Sequence, residues 1–592
     1  MKIPLAAYWR LLSMYLRPQR RRAVLLAALL LAGIGLQLAN PQILRLFVDT
    51  AERKGSLSTL VLAALLFLGV ALAIQVVSVA ETYVAENVGW TATNRLRADL
   101  TAHCLRLDPA FHAAHTPGAM IERIDGDVSA LGNFFARFVI YVLGNALLLL
   151  GVLLLLWGID PRIGAALTLF VALIILAVNR LRDLATPHWA AARAANADLF
   201  GFIEERLAGT EDIRSSGAVP FVMRQLHEAS RTLLRKERAA NVVGATTGAT
   251  SIFLFAMATV VGLVLGAYLY GTGAASIGTV YLVFYYTEML ARPIEQISRQ
   301  FQDLQQAGAA IARVGQLFEL RSAIADGPDV DWPPGPLAVE FAAVTFGYGD
   351  PAGEPALRDI SLRVRPGATL GVLGRSGSGK TSLTRLLFRL YDPWTGAVLL
   401  GDRDVRAARV ADLRRRIAMV TQDIHLFHAS VRDNLTLFAP SDPGELAGDT
   451  PIPDERILDA LAELGLWDWY QGLPDGLDTV LAPGGGLSAG EAQLLAFARA
   501  FLEDPGVVVL DEASSRLDLA TERRIERAVD RLLRGRTAII IAHRLATLDR
   551  ADDILVLDGG RVVEYGPRAA LAADEGSRYA YLLRSGLRDA LA

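Results

Sequence analysis

Eight consecutive residues, Gly374-Arg375-Ser376-Gly377-Ser378-Gly379-Lys380-Thr381, have the chemistry to hold a chain of phosphates. The glycines let successive backbone N–H groups converge on one point, the lysine adds a full positive charge, and a hydroxyl follows it. The pattern is G-x-x-x-x-G-K-[ST], and it follows an apolar run at 368–373 that reads as a strand. A helix expected from Thr381 onward would aim the positive end of its dipole at the same anion. In that setting Lys380 reaches the β- and γ-phosphates of a nucleotide and Thr381 ligates Mg²⁺. Lysine occurs only as Lys2, Lys54, Lys236 and Lys380, so its place in this motif is not a product of abundance.

Two further positions supply acid and imidazole. The apolar run 506–510 ends in Asp511-Glu512, and the run 537–542 ends at His543. Phosphoryl transfer is mostly positioning and charge stabilisation, and paired carboxylates at the end of a buried strand suit it. Asp511 is placed to hold the Mg²⁺ shell, Glu512 to orient and polarise the attacking water, and His543 to hydrogen-bond the γ-phosphate and sense its loss.

The elements that must position these groups fall into two unlike halves. The chain has 592 residues, 52% hydrophobic and 20% charged. Its mean hydropathy of +0.34 averages an apolar first part with a second part of ordinary soluble α/β character. This excludes a disordered chain and one that is membrane throughout. Runs at 23–48, 57–80, 138–158, 163–178, 242–270 and 277–290 are long and nearly free of charge, and about 20 such residues cross a bilayer core as a helix. The sixth closes early, at Glu288 and Arg292. Short links alternate with long Arg- and Glu-rich links at 81–137 and 179–241, and Arg17, Arg20, Arg21 and Arg22 precede the first run. The positive-inside rule then predicts a multi-pass protein of the cell membrane, with the N-terminus, both long links and everything after the sixth span in the cytoplasm. Amphipathic patterning in the long links predicts that the membrane helices continue into the cytoplasm. Asn40, Gln42, Arg45, Gln75, Asn145, Tyr281, Tyr285 and Glu288 are the polar residues inside the runs; they line a cavity or hydrogen-bond between helices. A net charge of -3 gives no basic field for nucleic acid, and the single cysteine, Cys104, excludes an intrachain disulfide.

On these motifs the C-terminal half resembles the nucleotide-binding domain of ABC transporters, and the whole chain resembles an ABC exporter half-transporter. The resemblance implies a six-helix α transmembrane domain at 1–320 with long cytoplasmic extensions. A linker at 321–336 follows, then a C-terminal α/β P-loop NTPase domain of ABC type at 337–592. It implies ATP and Mg²⁺ as cofactors. Nucleotide contacts then fall to Gly374, Arg375, Ser376, Gly377, Ser378, Gly379, Lys380, Thr381 and Ser382. Tyr348 resembles the aromatic residue that stacks on adenine. Gln422 resembles the glutamine that links Mg²⁺ to the transmembrane domain, so the metal set is Thr381, Gln422 and Asp511, and the catalytic set is Glu512, His543, Gln422 and Asp511. Residues 514–518 resemble the D-loop. Pro41 and Asp49 match the family's first span. Pro109, Phe111, Gly118, Arg123 and Asp127 resemble the first intracellular loop with its coupling helix, and Glu205, Gly209, Ile213 and Arg214 the second.

Leu487-Ser488-Ala489-Gly490-Glu491 stands where the family commonly has LSGGQ. In the family the signature serine and glycine amides, here Ser488 and Gly490, cap the γ-phosphate of ATP held by the other subunit. Ala489 adds a methyl where the backbone approaches closely, and Glu491 puts an acid near phosphates. The preceding segment, 479–486, lacks the glutamate usual in exporters and is one residue short. Only one phosphate loop is present, so a half-transporter of this kind must pair with a second subunit, and the altered signature favours a heterodimer with one degenerate ATP site. The function implied is ATP-driven transport, most directly export, by alternating access. The cargo is a small molecule, a lipid or a peptide, with the bilayer as the other partner and no nucleic acid. An exporter-fold importer, a homodimeric drug or lipid exporter and a regulatory membrane subunit are the alternatives.

Overall fold

A computed structural model describes residues 13–328, 330, 332–421, 424–438, 452–481, 487–511, 519–542 and 545–585; at 133–140, 298–299, 301–306, 519–520, 545–546 and 585 it describes the backbone alone. The chain divides into two compact units, one of residues 1–106 and 116–320, the other of residues 107–115 and 321–592.

The first unit is helical. Among the described residues, five helices are long and apolar enough to cross a membrane: Ser13–Glu52, Leu57–Leu105, Tyr141–Ile159, Pro161–Ala208 and Val219–Gly271. At 49, 48 and 53 residues, Leu57–Leu105, Pro161–Ala208 and Val219–Gly271 far outrun a bilayer core of about 30 Å, so each carries its apolar run into a long polar extension. Helices Pro161–Ala208 and Val219–Gly271 pack along each other, as do Arg20–Glu52 and Leu57–Leu105. Only 6% of the most apolar window of Leu57–Leu105 is buried within the chain, so Leu62, Leu65, Leu72 and Val76 present a face suited to lipid.

The sixth apolar run is shorter than a span. It forms Ile277–Met289, 13 residues or about 20 Å, then turns at Leu290 and resumes as Ala291–Glu319. Pro293 gives the reason, since it has no N–H to donate to the carbonyl of Met289. Asp49 ties this helix to the first one: its Oδ1 accepts the Gly278 N–H at 2.9 Å, and its other oxygen lies 3.6 Å from Arg45. A Cβ on Gly278 would fall 2.3 Å from that carboxylate, so the close approach needs glycine.

The second unit is built on two sheets. Strands β1 (Val339–Phe346), β2 (Leu357–Val364), β4 (Thr395–Leu400) and β5 (Arg403–Asp404) form an antiparallel sheet in the order β2-β1-β4-β5. Strands β3 (Thr369–Gly374), β6 (Ile417–Val420), β7 (Val507–Asp511), β8 (Thr537–Ile541), β9 (Asp553–Asp558) and β10 (Arg561–Pro567) form a six-stranded sheet in the order β10-β9-β3-β8-β7-β6. All neighbours from β9 to β6 are parallel, and β10 closes the edge as an antiparallel hairpin. A parallel sheet is covered on both faces, and alternate residues here enter different cores. Leu373, Val508, Leu510 and Ile540 pack with helix Ala489–Leu502 on one side. Val372, Val507, Val509, Ile539 and Ile541 pack with Leu383, Leu386 and Leu387 of helix Lys380–Leu387 on the other.

Candidate functional site

The phosphate loop sits at the C-terminal edge of β3, whose six residues are all buried. Gly377 and Gly379 have φ of +79° and +104°, a region closed to most L residues, and a Cβ on Gly379 would lie 2.5 Å from Leu357 Cδ2. The backbone therefore wraps tightly before the helix starts at Lys380. That helix has Gly379 as its N-cap and no side-chain cap, which leaves N–H groups of its first turn aimed into the loop. Lys380 is 7% exposed, and its Nζ donates to the carbonyls of Gly374 at 2.6 Å and Arg375 at 2.9 Å. Ser378 Oγ is buried with no hydrogen-bond partner. A buried lone hydroxyl, a buried ammonium and an uncapped helix end form a donor set that fits an anion with several oxygens. Arg375, Ser376, Gly377 and Thr381 are exposed on the rim.

Tyr348 stands two residues beyond β1 and is 45% exposed. Its hydroxyl is 2.8 Å from Ser382 Oγ, and the Arg385 guanidinium lies 5.4 Å from its ring centre. Phe346 and Tyr391 meet its ring edge-on at 5.0 and 5.3 Å. The tyrosine is thus fixed to the helix that follows the phosphate loop. Arg385 and Tyr391 were not singled out from the sequence, because nothing in their local spacing marks them.

Strand register brings Asp511 to the same edge. Ile541 of β8 pairs with Asp511 of β7 on one side and with Val372 of β3 on the other. Two strand spacings, about 10 Å, then separate Asp511 from Val372, two residues before the end of β3. Open α/β sheets bind ligands at this carboxyl edge. Gln422, Glu512, the D-loop residues 514–518 and His543 lie outside the described residues.

The signature segment is elsewhere. Ser488 is the N-cap of helix Ala489–Leu502, and Glu491 closes a reciprocal cap on it. Glu491 Oε2 accepts the Ser488 N–H and the Ser488 hydroxyl, both at 2.8 Å, while Ser488 Oγ accepts the Glu491 N–H at 3.2 Å. The sequence signal was the S-x-x-E spacing, which reads as a capping box independently of any signature. Gly490 is buried in the first turn. This helix packs on one face of the six-stranded sheet and the phosphate-loop helix on the other.

Comparison with known proteins gives these parts a lineage. Residues 24–293 match the model of the ABC transporter transmembrane region, and residues 357–515 match the model titled ABC transporter. The chain is 30% identical to the ATP-dependent lipid A-core flippase of Burkholderia pseudomallei, covering 90% of this chain and 87% of that one.

The chain belongs to the ABC transporter family.

This ABC transporter is also 28% identical to an uncharacterized ABC transporter ATP-binding protein, YknV of Bacillus subtilis, over 98% of this chain and 94% of that protein. It is 29% identical to a fatty acid ABC transporter ATP-binding/permease protein of Mycobacterium tuberculosis, over 82% of this chain and 75% of that one. A solved bacterial Atm1-family ABC exporter with ATP bound has the same fold, with a TM-score of 0.79 at 24% identity, covering 96% of this chain and 98% of that one. The chain is therefore a multi-pass membrane protein of ABC exporter architecture that binds ATP and couples its hydrolysis to transport.

In the transporter's second unit, the segment 107–115 carries the short helix Pro109–Ala114, within the stretch read from the sequence as the first intracellular loop. Asp108 fixes it: its carboxylate accepts the Ser322 hydroxyl and the Ala323 N–H, the latter at 2.7 Å. Asp108 escaped the sequence reading, although an acid before Pro109 is a common helix start. In the first unit Asp127, 3% exposed, is bound by Arg313 through both carboxylate oxygens. The second loop forms a helix at Thr210–Ser215, entered through Gly209.

Proposed function

We propose that the chain is one half of a heterodimeric exporter in the cell membrane, and that its signature segment serves the weaker of two ATP sites. The observation that carries this is the Glu491 carboxylate folded onto Ser488. In the family arrangement the signature donors meet the γ-phosphate of ATP held by the other subunit. Here the Ser488 N–H and hydroxyl already face a carboxylate of their own helix. That charge offsets the positive end of the helix and opposes a phosphate. The opposite sheet faces taken by the phosphate-loop helix and the signature helix support pairing with a second chain, since they lead the two motifs apart.

In this reading residues 1–320 are the transmembrane domain, 321–336 the linker and 337–592 the nucleotide-binding domain. The N-terminus and the nucleotide-binding domain are cytoplasmic. Tyr348 stacks on adenine, and the residues from Gly374 to Ser382 cradle the phosphates, with Lys380 carrying the charge. Thr381, Gln422 and Asp511 would hold Mg²⁺. Bound there, the ion neutralises charge on the phosphate oxygens. Glu512 orients and polarises the attacking water, and His543 holds the γ-phosphate. Two similar proteins are named for lipid A-core and fatty acid cargo, which supports an amphiphilic cargo for this chain.

Purification of the native complex from membranes tests the pairing. Two different subunits in equal amounts, with one ATP retained far longer than the other, is the expected result. A fully active complex containing this chain alone overturns the heterodimer. ATP-dependent uptake into inverted vesicles tests the direction of export.

A further inference from the structure

We infer that one face of helix Ile277–Met289 is a recognition site for an amphipathic organic cation, centred on Glu288. The inference rests on reading the transmembrane half as the path of the cargo.

The helix has two unlike faces. Leu282, Val283, Tyr286 and Thr287 are at most 1% exposed and pack into the helical core. Tyr281, Tyr285 and Glu288 follow one another at spacings of four and three residues, which stacks them along the opposite face. Tyr281 and Glu288 are exposed on that face and Tyr285 is half-buried. The rings of Tyr281 and Tyr285 lie 6.4 Å apart.

Helix length fixes the depth of the carboxylate. The outward loop ends at Ser276, the N-cap of this helix. Glu288 is then about 17 Å along the helix from that end, at 1.5 Å per residue. Its partner Thr259, whose hydroxyl donates to Glu288 Oε1 at 3.0 Å, lies about 18 Å from the end of the preceding helix at Gly271. Both counts put the pair near the middle of a core about 30 Å thick. A carboxylate at that depth is costly, and such groups face a cavity and take a partner. Among the described residues Glu288 has a neutral hydroxyl as its hydrogen-bond partner and no ion pair. Arg292, four residues on, is not within ion-pairing distance.

A carboxylate completes its pairing with a cation, and tyrosine faces attract cations while offering apolar area. Two tyrosines leading from the outward end to one acid therefore match a cargo with an apolar body and a single positive charge. A fatty acid or another anion would meet the acid unfavourably.

Tetraphenylphosphonium and tetraphenylborate test this, being near-equal in size and opposite in charge. Equilibrium binding of each to the full transporter complex in nanodiscs is measured in excess of protein-free nanodiscs. Saturable binding of the phosphonium, at least tenfold tighter than any borate binding, is the expected result. Glu288→Gln should weaken phosphonium binding about tenfold or more, and Glu288→Asp should restore most of it. Equal binding of the two ions, or phosphonium binding unchanged in Glu288→Gln, overturns the inference. The comparison of the two ions on the wild-type complex decides the matter even where Glu288→Gln fails to fold. ATP-driven movement of the phosphonium is scored separately. Glu288-dependent binding without movement supports the site and counts against the transport path. Transport of another cargo without Glu288-dependent binding does the reverse.

Discussion

Glu491 and Ser488 hold each other through three hydrogen bonds, two from Ser488 into Glu491 Oε2 and one from the Glu491 N–H to Ser488 Oγ. The acid that stands where the family commonly has glutamine thus completes the capping box on the N-cap Ser488. In the proposed reading the Ser488 donors that cap the helix would also meet a phosphate, so the two roles would compete.

That competition separates two substitutions. Glu491→Gln keeps a capping-box side chain and removes the charge. It should leave thermal stability within about 0.5 kcal/mol and raise steady-state ATP turnover several-fold. Glu491→Ala loses the reciprocal half of the box while Ser488 still accepts the residue-491 N–H, at a cost below about 1 kcal/mol seen in thermal unfolding. Turnover in Glu491→Gln equal to or below that of the wild type would argue that the carboxylate does not weaken the site.

The catalytic assignments divide binding from chemistry. Glu512→Gln should lower turnover by at least about a hundredfold while ATP still binds. Lys380→Ala should weaken both, since its ammonium sits inside the phosphate loop. Nucleotide binding by fluorescence, set beside phosphate release, distinguishes them. Normal turnover in Glu512→Gln would remove Glu512 from its role.

The phosphate loop makes a backbone demand that can be measured. Gly379→Ala places a methyl at φ +104° and 2.5 Å from Leu357 Cδ2. The cost should be about 1–3 kcal/mol, with ATP affinity lost. Gly349→Ala, where an added Cβ has nothing within 4 Å, should stay within about 0.5 kcal/mol. Similar melting curves for the two variants would contradict the geometry.

Asp108 anchors helix Pro109–Ala114 to Ser322 and Ala323. Asp108→Ala should lower the cargo moved per ATP hydrolysed several-fold while leaving nucleotide affinity near the wild-type value. Parallel uptake and ATPase assays on one preparation give that ratio. An unchanged ratio would make Asp108 a purely structural anchor.

Asp127 is buried and bound through both oxygens by Arg313. Arg313→Ala strands the buried carboxylate and should cost about 3–5 kcal/mol, whereas Asp127→Ala leaves a half-exposed guanidinium that water solvates and should cost less. The double variant Asp127→Ala with Arg313→Ala should recover part of that loss in thermal unfolding. Strict additivity would mean the pair is not coupled.

The sequence alone determined the division into an apolar and a soluble half, and it located the phosphate loop, because both are written locally. Apolar run length reports span, and G-x-x-x-x-G-K-T reports a loop whose chemistry lies in eight adjacent residues. The S-x-x-E spacing of Ser488 and Glu491 also lies in the sequence, but reading those residues as a signature passed over the capping box that the structure shows. The sequence placed the sixth run at 277–290 and its early close, but not that the chain turns at Leu290 and resumes as helix Ala291–Glu319, because the hydrogen bond that Pro293 cannot donate does not register in hydrophobicity. Only the tertiary structure decided that Asp511 and Gly374, more than a hundred residues apart, share one sheet edge, since strand order is a long-range choice. It likewise put helices Lys380–Leu387 and Ala489–Leu502 on opposite sheet faces. Both helices are largely buried, and which face of the sheet each covers is set by the handedness of the connections between parallel strands.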